Sequence, residues 1–274
     1  MKKNSLIDDA IDRFYSGSSE ETRLQTGLGP LEFERNKALI LKYLFNKRSC
    51  IVDVGGGPGL YAAWLAELGH SVCLVDPVAK HIAQAEKRAA GLKNPFNVLL
   101  AEAQHMDLPD QMADVVILHG PLYHLQEKED RLRAIGEAKR ILKKGGHLLG
   151  FAINRSASAI ACLLNGLIHD KAFFSMCREE LRTGKHDPPT GWPGLLPRAY
   201  CHRPSELQQE IGEAGLECLS LHAVEGCVWL DKDYFQSRAV PRKKANLDDL
   251  LKLTEQDVSL LAFSPHFMIA ARKS

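Results

Sequence analysis

Between residues 50 and 151, short runs of apolar residues alternate with longer segments in which apolar residues recur every three or four positions. The short runs are continuous and rich in β-branched residues, which is typical of strands buried on both faces. The longer segments have helical spacing and commonly end at glycines. The pattern predicts strands at 50–54, 71–75, 97–100, 113–118 and 147–153, and helices at 60–68, 78–90 and 128–142. Strands and helices in this alternation predict an α/β fold with a parallel sheet.

Two segments flank this core and are predicted to cover it. Residues 1–45 have helical spacing with a polar break at 16–19, and we interpret them as an N-terminal helical lid. Residues 46–274 then form the main domain, with a lid insertion at 156–200 that begins as a helix and continues as a loop rich in proline and glycine. After the insertion, the pattern predicts helices at 204–214 and 247–261 and strands at 217–224 and 267–271.

Composition and charge restrict the classes of function. The 274 residues are 45% hydrophobic and 25% charged, as in an ordinary globular protein. A net charge of +1 does not indicate a basic surface that would bind a polyanion, so no nucleic-acid partner is expected. No apolar run is long enough to span a bilayer, and the first residues do not resemble a secretory signal. We therefore expect a cytoplasmic protein that does not enter a membrane.

Cysteines and histidines give no sign of a metal. The seven cysteines include no C-x-x-C pair, which argues against a disulfide framework and against a zinc knuckle. The 11 histidines form no H-E-x-x-H motif. We therefore predict no metal site.

The clearest chemical motif is the segment Asp-Val-Gly-Gly-Gly-Pro-Gly at residues 53–59, between the first predicted strand and the first predicted helix. In a doubly wound sheet this turn lies at the carboxyl ends of the strands, where ligands bind. A dinucleotide-binding G-x-G-x-x-G motif that starts at Gly55 would need a glycine at position 60, where the chain has Leu60. A phosphate-binding P-loop is excluded because no G-K-[ST] follows. Asp53, two residues before the first glycine, instead favours a ligand with a cationic amino-acid tail.

With these residues, the segment from Cys50 to Phe151 resembles the class I S-adenosylmethionine-dependent methyltransferases, of the bacterial small-molecule type. The resemblance implies a Rossmann-like seven-stranded sheet, mostly parallel with an antiparallel last strand, and helical lid insertions. It also implies S-adenosyl-L-methionine as the cofactor, with its methionine part held by Asp53, Gly55, Gly56, Gly57 and Gly59.

Further cofactor contacts implied by the resemblance lie at the ends of the second and third strands. Asp76 matches the acid that binds the ribose hydroxyls, and Pro77 beside it would pack near the adenine. Glu102 and Ala103 match the position where an acid and the next backbone N–H contact the edge of the adenine. The family more often has an aspartate in place of Glu102.

The resemblance also implies contacts at the two ends of the methionine part. His119 and Gly120, after the fourth strand, are expected to face the reactive end of the cofactor. Tyr15 and Arg23, from the N-terminal lid, are expected to reach its carboxylate, for which a guanidinium fork is well suited. The alternative for Tyr15 and Arg23 is that they are surface residues on an amphipathic helix.

The sequence says less about the molecule that would accept the methyl group and about the residues that would contact it. Residues 119–125 resemble a loop of bacterial small-molecule methyltransferases and lack the N-P-P-Y or D-P-P-Y signature of relatives that methylate amide or base nitrogens. Tyr123 and His124 are candidates to orient or deprotonate the nucleophile, and His119 and His202 are further candidate bases. Packing beneath the loop is the alternative role for Tyr123 or His124.

The prediction is therefore an enzyme that moves the methyl group of S-adenosylmethionine onto an O, N or other nucleophile of a small molecule, as a monomer or homodimer. A methyltransferase acting on RNA or protein, and a non-catalytic cofactor-binding module of the same fold, are the alternatives. An NAD-dependent enzyme is disfavoured by Leu60.

Overall fold

The computed structural model describes residues 6–17, 20–192 and 195–274. Residues 1–5, residues 18 and 19 of the predicted polar break, and residues 193 and 194 of the predicted loop lie outside the described residues. The strands are β1 Cys50–Val54, β2 Ser71–Asp76, β3 Asn97–Leu100, β4 Ala113–His119, β5 Leu142–Asn154, β6 Lys185–His186, β7 Ala199–His202, β8 Glu217–Ala223 and β9 His266–Arg272. The α-helices are α1 Asp9–Gly17, α2 Glu20–Arg23, α3 Gly29–Leu41, α4 Leu60–Glu67, α5 Ala79–Ala90, α6 Pro121–His124, α7 Lys128–Ile141, α8 Ala157–Leu164, α9 Lys171–Thr183, α10 Pro204–Glu213, α11 Tyr234–Ala239 and α12 Pro241–Thr254.

The sheet has the predicted topology. Strand β1 pairs in parallel with β2 and β4, and the pairings give the order β3-β2-β1-β4-β5-β9-β8. Strand β9 runs antiparallel to both of its neighbours. The predicted Rossmann-like, mostly parallel sheet with an antiparallel last strand is therefore confirmed. Two short strands that were not predicted, β6 and β7, extend the sheet at the carboxyl end of β5.

Apolar residues on both faces of the sheet build the core. Consecutive residues of a strand point to opposite faces, so Val52 and Val54 pack with α7 and α10 while Ile51 packs with α3, α4 and α5. Burial on both faces explains why the central strands read as continuous hydrophobic runs rather than as alternating ones.

Some element bounds differ from the predicted ones. The strand predicted from residue 147 begins at Leu142, where its pairing with β4 contains a register shift. The helix predicted at 247–261 begins earlier, at Pro241, because proline fits the first turn of a helix, where its missing N–H has no partner to lose. The helical start of the insertion is divided into α8 and α9, and Gly166 between them has a left-handed φ of +73°.

The two predicted lids differ in what they pack against. Residues of α1 and α2 line a cavity at the carboxyl edge of the sheet. In the insertion, Phe173 and Met176 pack into a small apolar cluster of the insertion itself. The division into lids and a main domain stays a prediction. Among the described residues, no helix has both the length and the apolarity that crossing a membrane requires.

Candidate active site

The loop after β1 is shaped by glycines in left-handed conformations. At Gly55, φ is +74° and a Cβ would lie 2.5 Å from the carbonyl oxygen of His119, so the loop lies directly against the end of β4. At Gly59, φ is +84° and a Cβ would lie 2.9 Å from the ring of Phe96. A Cβ on Gly57 would meet nothing within 4 Å, because this residue lines open space. The glycines thus let bare main chain form one wall of a cavity.

That cavity has a volume of about 590 Å³, in the range of small-molecule sites. It lies at the carboxyl ends of the parallel strands, where ligands bind in doubly wound folds. It is lined by residues between 6 and 24, residues 54–58, residues 76–78, His81, residues 101–104, residues between 119 and 130, and Arg198. The structure therefore brings the ends of β1, β2, β3 and β4 together with the N-terminal helices.

Asp76 connects the glycine loop to the start of α5. One carboxylate oxygen accepts from the Gly57 N–H at 2.9 Å, and the other accepts from the Val78 N–H at 2.9 Å. The second oxygen also lies 3.1 Å from Nδ1 of His81. His81 was missed in the sequence, although it stands only five residues after the predicted ribose-binding acid, in the first turn of the next helix.

Asp53 lies beneath the loop rather than in the cavity wall. It is fully buried, and neither carboxylate oxygen has a hydrogen-bond partner in the described part of the chain. Burial, with a further contribution from the Asp76 carboxylate, raises the pKa of Asp53 to about 7. A Cβ on Gly56 would lie 2.8 Å from one of its oxygens. Asp53 therefore has no direct access to the cavity and can affect a ligand there only through the loop and through its electrostatic field.

The remaining residues predicted to hold the cofactor divide into two groups. Gly55, Pro77, Glu102, Ala103 and Gly120 line the cavity, as do Gly56 and Gly57. Gly59 does not line it; this residue is the N-cap of α4 and shapes the loop from behind.

His119 is held rigidly in the wall. Its ring stacks between Tyr61, at 4.6 Å, and Phe151, at 4.2 Å, and its Nε2 lies 3.1 Å from the Asn36 side-chain amide. Burial lowers the pKa of His119 to about 3, so the ring is neutral near pH 7. Asn36 and Tyr61 were not singled out from the sequence, since they lie on two other helices.

Tyr15 and His124 form a hydrogen-bonded pair across the cavity. The phenol oxygen of Tyr15 lies 2.7 Å from Nε2 of His124. Burial lowers the pKa of His124 to about 4 and raises the pKa of Tyr15 well above its usual value, so phenol and imidazole are both neutral near pH 7. The Tyr123 ring lies 4.7 Å from His124, and burial keeps its pKa above the usual range as well.

Arg23 lines the cavity and is bound from behind by an acid. Its two terminal nitrogens donate to the two oxygens of Glu32, at 2.8 and 2.9 Å. Its Nε donates to Glu20 at 3.0 Å. Arg23 is therefore more than a surface residue, and Glu32 is a partner that sequence reasoning missed.

His202 lies away from the cavity. Its side chain is fully buried and its Nε2 lies 3.3 Å from a Glu210 carboxylate oxygen, while Glu210 is bound by Arg131. The position at a strand end led to its choice as a candidate base, but the side chain packs against α10. Of the described residues in the 156–200 insertion, Arg198 alone lines the cavity, where it donates to Asp8 at 3.1 Å and to Gln126 at 3.0 Å.

Known proteins with similar sequences are methyltransferases. Residues 52–150 match the family described as "Methyltransferase domain". A ubiquinone biosynthesis O-methyltransferase of Paramagnetospirillum magneticum is 31% identical over 116 residues, which cover 42% of this chain and 45% of that protein. An uncharacterized methyltransferase of Mycobacterium bovis is 30% identical over 146 residues, which cover 53% of this chain and 69% of that protein. The chain thus spans less than half of the first relative and about two thirds of the second.

Solved structures show the same fold. A methyltransferase of Methanosarcina mazei aligns with a TM-score of 0.60 at 19% identity, covering 86% of this chain and 96% of that one. The geranyl diphosphate C-methyltransferase of Streptomyces coelicolor, solved with S-adenosyl-L-homocysteine, aligns with a TM-score of 0.56 at 14% identity, covering 96% and 87%. Together these matches confirm the resemblance stated for residues 50–151.

Proposed function

Because this chain belongs to the class I S-adenosylmethionine-dependent methyltransferases, with S-adenosylmethionine as its cofactor, we propose that it transfers the cofactor's methyl group to an oxygen, nitrogen or other nucleophile of a small molecule. The observation that carries this proposal is one cavity that is lined both by the glycine loop with Asp76 and by the Tyr15–His124 pair. In this proposal, cofactor and acceptor meet in this one cavity.

The residues around the cavity suit S-adenosylmethionine. The open space in front of Gly57 gives room for a ligand against bare main chain, and the unpartnered Asp53 carboxylate beneath the loop favours a cationic group above it. We assign Gly55 to Gly57 to the methionine part, Asp76 to the ribose, and Pro77, Glu102 and Ala103 to the adenine. Two of the five N–H groups of Arg23 have no partner among the described residues, and we assign them to the cofactor's carboxylate. When bound, the cofactor supplies an electrophilic methyl group on a leaving group that is already positively charged.

The walls of the acceptor side favour a small, largely apolar molecule. Leu6, Ile7, Ile11 and Leu125 contribute apolar surface to the cavity that the Tyr15–His124 pair also lines. Among the described lining residues, six carboxylates face two arginines, a charge balance that repels a polyanion such as RNA. Alignment of the nucleophile and exclusion of water are therefore the main tasks of these walls.

The Tyr15–His124 pair can take the proton that leaves the nucleophile. The neutral imidazole can accept the phenol hydrogen at Nε2, while the phenol oxygen accepts the hydrogen of the acceptor's hydroxyl or amine. The proton then resides on His124 until it passes to solvent after transfer. His119, which is neutral and fixed by stacking, serves as a wall in this proposal and not as the base.

The test begins with native mass spectrometry of the purified protein, in which co-purified S-adenosylmethionine or S-adenosylhomocysteine is expected. Radiolabelled methyl cofactor is then offered with a small-metabolite extract, with RNA and with denatured protein. Label in the metabolite fraction supports the proposal, whereas label in RNA or protein supports the first alternative. Cofactor binding without any transfer would make the chain a binding module. The expected cytoplasmic location, and the choice between monomer and homodimer, stay predictions.

A further inference from the structure

Behind the cavity wall, charged side chains from four separate segments meet. They are Arg23 at the end of α2, Glu32 in the first turn of α3, Glu225 just after β8, and His266 at the start of β9. Arg23 binds both oxygens of Glu32, and Nδ1 of His266 lies 2.6 Å from a Glu225 oxygen. Ligand-type atoms of Glu32, Glu225 and His266 all lie within 4.8 Å of one another.

The charges in this cluster are paired: the Arg23 guanidinium neutralises Glu32, and the His266 ring neutralises Glu225. Burial disfavours the charged form of Glu32, but the hydrogen-bonded guanidinium outweighs it and lowers the pKa of Glu32 to about 2. Burial likewise disfavours the charged ring of His266, but the Glu225 carboxylate outweighs it and raises the pKa of His266 to about 9. Buried charges persist only where they are paired in this way.

The cluster is anchored on the sheet. One Glu225 oxygen accepts from the His266 backbone N–H at 2.9 Å and from the Ser264 hydroxyl at 3.2 Å. Glu225 and His266 are thereby fixed to the start of β9, which pairs with β5 in the middle of the sheet. Glu32 is 7% exposed and stands between this anchor and Arg23, the member of the cluster that lines the cavity.

We propose that Glu32, supported by His266 and Glu225, is a positioning residue that holds Arg23 in the orientation that binds the carboxylate of the cofactor's methionine part. Hydrogen bonds to both Glu32 oxygens fix the plane of the guanidinium, and with the Glu20 contact they use three of its five N–H groups, so two are left for a ligand. A long, flexible side chain that is fixed before binding loses less entropy when the ligand arrives. This inference rests on the assignment of Arg23 made under the proposed function.

The test compares S-adenosylmethionine with decarboxylated S-adenosylmethionine, which keeps the sulfonium and the ammonium groups but lacks the carboxylate. Isothermal titration gives the Kd of each compound for wild type, E32Q and H266N. For E32Q, we expect S-adenosylmethionine to bind about tenfold more weakly, while the decarboxylated compound changes less than about twofold. For H266N, we expect the same selective loss at about threefold, because His266 acts on Arg23 through Glu32.

Two further variants separate the possible failures. R23A must abolish the preference for the carboxylate; if it does not, the assignment of Arg23 is wrong, and with it this inference. E217Q is the control variant, since Glu217 also binds an arginine, Arg272, but at the surface and away from the cavity. E217Q must leave the ratio of the two Kd values unchanged, and thermal melting confirms that each variant is folded.

Three results would overturn the inference while R23A still behaves as expected. The first is an E32Q variant that binds both compounds as wild type does, and the second is an equal loss for both compounds. The third is binding of S-adenosylmethionine that requires added Zn²⁺ or Mn²⁺ and loses this requirement in H266N. That result would make Glu32, Glu225 and His266 a metal site instead.

Discussion

In the described part of the chain, two tyrosine–histidine pairs have nearly the same geometry and different surroundings. The Tyr15 oxygen lies 2.7 Å from Nε2 of His124, and the Tyr43 oxygen lies 2.6 Å from Nε2 of His222. Burial lowers the pKa of both histidines to about 4. The first pair lines the cavity, whereas the second is closed by Ser220, which contacts both of its members. A proton-accepting pair therefore has a use only where a substrate can reach it.

Two arginine–glutamate pairs show the same contrast. Arg131 is 2% exposed and directs its nitrogens to Glu210 and to the carbonyls of Leu125 and Gln126. Arg23 is held by Glu32 with similar distances, but 45% of its side-chain surface is exposed. All three guanidinium nitrogens of Arg131 donate to protein oxygens and the side chain is buried. Arg23 is partly exposed, lines the cavity and has two N–H groups without a partner among the described residues. This difference is the reason why we propose a structural role for Arg131 and a ligand-binding role for Arg23.

We expect the largest effect from a substitution that breaks the buried ion pair between Arg131 and Glu210. E210Q leaves the buried Arg131 charge uncompensated, so we expect the free energy of unfolding to fall by about 3–5 kcal/mol. Urea denaturation at neutral pH measures this loss. E32Q should cost clearly less, because Arg23 is partly solvated. If E32Q destabilises the fold as much as E210Q, the distinction between the two pairs fails.

We expect the next largest effect from the removal of the proposed base, His124. For H124A, we expect kcat to fall about 100-fold, equivalent to about 2.7 kcal/mol in the activation barrier, while the Kd of S-adenosylmethionine stays near that of wild type. H222A removes the same kind of histidine from the closed pair and should leave kcat unchanged. A similar kcat for H124A and wild type would remove His124 from the mechanism.

The cofactor half of the site could be predicted from the sequence because its residues are local to strand ends. The glycine loop, Asp76, Glu102 and Ala103 each follow a strand that the hydrophobic pattern predicts, and parallel strands bring their carboxyl ends to one edge. The same reasoning could have found His81. It also selected His202, whose side chain lies away from the cavity against Glu210, because a position at a strand end does not determine to which side the side chain points.

The contacts between the cavity and its support could not be predicted, because they join distant segments. Tyr15 and His124 are 109 positions apart, and no periodicity relates a residue of the N-terminal helix to the loop after β4. Glu32 and His266 are brought together by the packing of the helix α3 near the start of the last strand, and the hydrophobic spacing within each element does not relate the two residues. The lengths and angles of the lid helices decide these contacts, and a single sequence leaves them free.

The third effect is a pH dependence that distinguishes His266, which is partly exposed, from the buried His222. The pKa of His266 is raised to about 9 in the folded state, so its stabilisation is complete below its unfolded pKa, near 6.5, and is lost as the pH rises through 9. Part of the ring is solvated, so we expect wild type to lose about 2 kcal/mol relative to H266N between these limits.

His222 provides the control for this titration. Burial depresses its pKa to about 4, so its contribution to stability changes only below the unfolded pKa and is constant above pH 7. Unfolding free energies measured by urea for wild type, H266N and H222N across this range should therefore differ in slope for H266N alone. Parallel curves for all three proteins would contradict the charged state assigned to His266.

We expect the smallest effect on kcat from the removal of the tyrosine hydroxyl in the Tyr15–His124 pair. Y15F removes the hydroxyl that passes a proton to His124 but keeps the ring, so we expect kcat to fall about tenfold, equivalent to about 1.4 kcal/mol. Y43F removes the matched hydroxyl from the closed pair and should change unfolding free energy but not kcat. The decisive measurement is the Y15F/H124A double variant: if the two residues act as one unit, its kcat equals that of H124A alone. A further tenfold fall in the double variant would show that Tyr15 acts independently of His124, and the pair would then be a structural contact like the one between Tyr43 and His222.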